Sequence, residues 1–123
     1  MVEPRGLRLL RDARQLVAAS WCRGADARDA CGSEVPPWDD RATSWSVLGA
    51  VVAVLEEEAT LSGEVPLDQL GAALYALAEL IETDSLVEWN DEPWQTQENV
   101  VTVLDRAADM YVPLEAVLEL SMN

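Results

Sequence analysis

The chain has 123 residues, 50% of them hydrophobic, and a formal charge of −15 from 23 acids and eight basic residues. That length points to one domain with surface enough to bury a single core, and the apolar content excludes a disordered chain. The charge excludes direct binding to nucleic acid or to an anionic membrane, because such a surface repels phosphate.

Apolar residues at helical spacing predict a first helix over residues 5–20. Leu9, Leu10, Ala13, Leu16 and Val17 share one face, and Arg8, Arg11, Asp12 and Arg14 take the other. A long irregular stretch over residues 21–38 follows and ends in V-P-P-W, where Pro36 and Pro37 forbid a continuing helix. A second helix is predicted to start at Asp39 or Asp40, either of which can cap it. From Trp45 to Leu55 it is apolar almost all round, the mark of a central helix buried within one chain or at a homodimer interface. Its last acids, Glu56, Glu57 and Glu58, oppose the helix dipole by ~0.3–1 kcal/mol each.

Pro66 opens a third helix with a stripe of Leu67, Leu70, Leu74, Leu77, Ala78 and Ile81. Residues 86–96, with E-W-N-D-E-P-W at their centre, form a second irregular stretch. Thr96 then caps a fourth helix that buries Val100, Val101, Leu104, Ala107, Ala108 and Tyr111, and Pro113 opens a short fifth carrying Leu114, Val117 and Leu118. With no strand alternation and no repeat, the expected fold is a single all-α domain: a bundle of four main helices plus a short C-terminal helix, with two Trp-rich loops at one end.

Those two loops hold the candidate site residues: Trp21, Cys22, Arg28 and Asp29 in the first, and Trp89, Asn90 and Asp91 in the second. In an up-down bundle the links after the first and third helices lie at the same end. Arg23 or Arg28 then meets Glu88, Asp91 or Glu92, and the narrow expectation is that Arg28 or Asp29 contacts residues 89–91. An Arg–carboxylate pair of this kind fastens two loops without any ligand. If Arg28 is buried and paired, Arg28→Ala costs about 3–5 kcal/mol. In this reading all five Trp supply core area in place of the missing Phe. The opposing reading is an open pocket of roughly 300 Å³ or more, floored by indoles and rimmed by Arg28, Asp29, Asn90 and Asp91.

Catalysis has little to work with. The chain has no His to act as a base near neutral pH. A nucleophilic Cys22 would have only carboxylates as partners. Cys22 and Cys31, nine residues apart, fit neither a redox nor a zinc spacing, so no metal and no cofactor are expected. The basic N-terminus lacks the uninterrupted apolar run of a secretory signal, and no segment is long enough to span a bilayer. The expected location is the cytoplasm, with reduced thiols.

The elements "WCRGADARDACG", "ATSWSVLGAV", "SLVEWND" and "TQENVVTVLDRAAD" together resemble a family of small uncharacterised actinobacterial and actinophage proteins, a domain of unknown function, over about residues 7–110. The family motifs fall on Trp21, Cys22, Gly24, Ala25, Ala27, Arg28, Asp29 and Ala30, on Trp45, Gly49 and Ala50, and on Trp89, Asn90 and Asp91. The chain departs from the pattern at Ser46, where Cys is usual, and at Gln95-Thr96, where an Arg-Thr pair is common. The resemblance brings no reaction. The leading expectation is a non-enzymatic acidic interaction or regulatory protein that meets a basic protein partner. The alternatives are a phage-type inhibitor mimicking nucleic acid, and a small-molecule binder or enzyme using the two loops.

Overall fold

The computed structural model describes residues 5–64, 67–83 and 85–111. They are mostly helical: α1 (Arg5–Ala19), β1 (Ala27–Arg28), β2 (Ser44–Trp45), α2 (Val47–Ser62), α3 (Leu67–Ile81), α4 (Leu86–Asp91) and α5 (Gln97–Asp109). The predicted C-terminal helix from Pro113, and Pro66 at the start of α3, lie outside the described residues.

The apolar stripe of α1 is the centre of the fold. Leu9, Leu10, Ala13 and Val17 are buried, and the helix packs against α2, α3 and α5. Each such leucine contributes about 1.5–3 kcal/mol by leaving water. The all-round apolar α2 was expected to be central and is not. It buries Val47, Ala50, Val51 and Val54 and leaves Val52, Ala53 and Leu55 half-buried. The amphipathic helix takes the middle place because its apolar face is wide enough to serve three neighbours, while its arginines reach solvent and ion pairs. Arg5 and Arg8 approach Glu58 at 3.5 and 3.9 Å, and Arg14 meets Asp105 at 3.1 Å. Gln97 closes the other end of α1, donating to the Val17 and Ala18 carbonyls that the helix leaves open.

Helix α2 starts later than its aspartates suggest. Ser46 is the cap, its hydroxyl accepting from Gly49 N at 3.0 Å. Asp39 instead folds a turn, accepting from the backbone and guanidinium of Arg41, which hold its carboxyl down at about 2. Residues 44–45 are extended because they pair with residues 27–28, antiparallel, with Ala27 opposite Trp45 and Arg28 opposite Ser44. This small sheet is an addition to the expected all-α fold.

On α3 the buried face is Ala72, Ala73, Ala76 and Leu77 rather than the full leucine stripe, since small side chains let the helix lie close to α1 and α5. Leu70, Leu74 and Ile81 pack half-buried at its flanks, and Leu67 is exposed. Part of the expected second irregular stretch is helical: Ser85 caps α4 by accepting from Glu88 N. Helix α5 has the expected cap, Thr96 accepting from Asn99 N, and buries Val100, Leu104 and Ala107 as expected, but Val103 is buried as well and Val101, Ala108 and Tyr111 are only half-buried. Trp21, Trp45 and Trp89 pack against the core, but Trp38 and Trp94 are 57% and 60% exposed and do not serve it. Among the described residues no helix is long and apolar enough to cross a membrane.

Candidate functional site

The two Trp-rich segments meet, and Asn90 lies between them. It sits in the last turn of α4 and is fully buried. Its carbonyl oxygen accepts from Trp21 Nε1 at 2.8 Å and from Val47 N at 3.0 Å. Its amide nitrogen donates to the Cys22 carbonyl at 3.1 Å and to Asp91 Oδ1 at 3.0 Å. A carboxamide has two donors and two acceptor positions, so the side chain is saturated by the chain itself. Val47 N is one of the donors that the start of α2 leaves open, so Asn90 and Ser46 together cap that helix.

Three neighbours extend the joint. Asp91 Oδ1 also accepts from Gly24 N at 2.9 Å, where Gly24 takes φ 80°, a backbone that favours glycine. Gln95 is buried, donates to the Trp89 carbonyl and accepts from Thr96 N and the Asn99 side chain. The Arg23 guanidinium donates to the Gln95 carbonyl and lies 5.0 Å from the Trp21 ring, a cation–π distance.

The joint is therefore made by Trp21, Cys22, Arg23 and Gly24 on one side and by residues 89–95 on the other. The expected contact from Arg28 or Asp29 is replaced by these. Arg28 donates to the Gly32 and Arg23 carbonyls, and Asp29 accepts from Cys31 N and Ser33 N, so the hydrogen bonds of both shape the first loop from within. The turn at Gly32 (φ 84°) presents its carbonyl to the Arg28 guanidinium at 2.9 Å, and the Arg23 carbonyl takes a second donor at 3.1 Å. Its partners are neutral and its surroundings partly solvated, so Arg28→Ala should cost about 1–2 kcal/mol in a thermal melt, below the range for a buried ion pair.

Cys22 is buried and donates its thiol to the Ala25 carbonyl. Burial pushes its pKa up, outweighing the Ser44 hydrogen bond and the charge of Arg28, which act the other way. The thiol form is therefore the dominant one near neutral pH. Cys31 is exposed. In a timed reaction with an aromatic disulfide reagent, one thiol should react quickly and the other only as the protein unfolds. Cys31→Ser should abolish the fast phase.

A cavity of about 270 Å³ lies beside the joint, lined by Gly24, Asp26, Glu34, Ser46, Val87 and Asp91 among others. Of the expected rim residues only Asp91 lines it. Sequence reasoning missed Gly24 and Gln95 as joint residues. Gly24 was visible inside the W-C-x-G-A element, whereas a lone Gln before a cap carries no signal of its own.

No curated protein and no solved structure matches the chain. A family model matches residues 1–110. With most of its length covered, the chain belongs to the Family of unknown function (DUF6197).

Proposed function

We propose that this chain is a non-enzymatic interaction or regulatory protein of the cytoplasm. Its two Trp-rich segments hold the fold, and its acidic surface meets a basic partner protein. The observation that carries this reading is where the arginines go. Arg5, Arg8, Arg14 and Arg41 each face a carboxylate, and Arg23 and Arg28 are drawn onto backbone carbonyls. The chain has 23 acids against eight arginines, and Glu34, Asp40, Glu56, Glu57, Glu88 and Glu98 are exposed. A surface of this sign attracts cationic partners and speeds their encounter. The saturated Asn90 and the protonated Cys22 support a fastening role for the residues that first suggested chemistry.

The test is fluorescence anisotropy with a labelled arginine-rich peptide and with duplex DNA. The peptide should bind at low salt and dissociate as salt is raised, and the DNA should not bind. DNA binding, or no peptide binding at low salt, would overturn the proposal.

A further inference from the structure

Resting on the acidic-partner reading, we propose that the groove centred on Trp38 docks a cationic, amphipathic peptide segment of a partner protein, with an arginine stacked on the Trp38 indole. A cavity of about 370 Å³ lies between α2 and the loop before it, with Trp38, Trp45 and Leu61 as its apolar walls and Asp40, Glu56 and Glu57 as its acids. Trp38 is 57% and Leu61 78% exposed, so two large apolar side chains left to solvent meet in one groove.

The groove continues. A cavity of about 450 Å³ shares Pro37 and Trp38 with it and adds Asp26 and Glu34. The cavity beside the joint shares those two acids in turn and reaches Asp91. Among the described residues no arginine lines any of the three. The cavity between α1 and α5 is different in kind, since there Arg11 and Arg14 stand beside Asp105 and Asp109.

Charge and shape together specify the occupant. The helix runs on to Ser62, more than a turn past Glu56 and Glu57, so the negative potential here comes from their own exposed carboxylates rather than from the helix end, and a cation relieves it. Glu58, the third acid of that run, is turned to Arg5 and Arg8 instead. A guanidinium prefers an indole face among aromatic surfaces, and leucine-like side chains suit Leu61 and Pro37. The run of three adjoining cavities fits an extended segment rather than a single small cation.

Anisotropy with a labelled peptide of alternating Arg and Leu tests this. Trp38→Ala and the pair Glu56→Gln/Glu57→Gln should each weaken binding about fivefold or more, and the pair Glu79→Gln/Asp109→Asn, which removes equal charge elsewhere, less than about twofold. In wild-type protein the Trp38 indole N–H resonance should shift on titration and that of Trp89 should not, a readout that does not depend on any variant folding. Equal losses from both charge pairs would overturn the groove and leave the acidic reading standing. Absence of peptide binding by the wild type at low salt would overturn both. Arginine methyl ester binding as tightly as the peptide would overturn the peptide as occupant.

Discussion

Asn90→Ala should lower stability by about 3–5 kcal/mol and the melting temperature by roughly 10–20 °C. The substitution strips partners from Trp21 Nε1, Val47 N and the Cys22 carbonyl at once. Each buried polar group left unpaired costs about 1–3 kcal/mol, and water entering the space restores only part of that. A domain of this size has about 5–15 kcal/mol in total, so the loss is a large share of it. Urea titration followed by Trp fluorescence is the measurement, and a loss below about 1 kcal/mol would show that Asn90 is not the centre of the joint. Asn90→Asp adds a second readout. The introduced carboxylate would be buried beside Asp91 and facing the Cys22 carbonyl, which favours its protonated form. Its folded pKa is then raised above the unfolded value, so the variant should be closest to wild type at acid pH and lose stability as pH rises.

Gly49→Ala and Gly71→Ala should act in opposite directions, although both replace a helical glycine. Alanine ordinarily stabilises a helix interior by about 1 kcal/mol over glycine. Gly71 follows that rule, because a Cβ there meets nothing within 4 Å. At Gly49 the same atom would overlap the backbone carbonyl of Asp26. That carbonyl accepts from Ser46 N, so it cannot retreat without undoing the bond that seats α2 on the first loop. The expected cost is about 3 kcal/mol or more, at the upper end of what overpacking exacts. Paired thermal melts decide it, and a Gly49→Ala variant as stable as wild type would mean that loop and helix part easily.

These results also mark how far the sequence could be read. Helices α1 and α5 were legible because their apolar residues repeat at 3.6 and Thr96 announces a cap. The leucines of α3 fixed the helix but misplaced its buried face, since alanines bury without standing out in a hydrophobic stripe. Helix α4, at six residues, is too short to show any period. The start of α2 was misjudged because Asp39 performs a cap-like turn without a helix behind it, and the two-residue strands carry no alternation. The meeting of the two Trp-rich segments was an expectation from an up-down arrangement of helices, and their hydrogen bonds show the contact. Its chemistry was not legible, because Trp21, Val47 and Cys22 find Asn90 through backbone groups and an indole that no charge pattern reveals. Ser46 and Gln95 have structural duties here: Ser46 caps α2, and Gln95 is buried within the joint.

The partners of Asn90 stand 69, 43 and 68 positions away along the chain. Closing loops of that length costs entropy before any bond repays it. The joint needs the residues around Trp21, Val47 and Asn90 all in place at once, so it is expected to form on the late side of the folding barrier. Asn90→Ala should then speed unfolding and leave the rate of folding almost untouched in a chevron plot, which would make Asn90 a determinant of how long the native state lasts rather than of how fast it is reached.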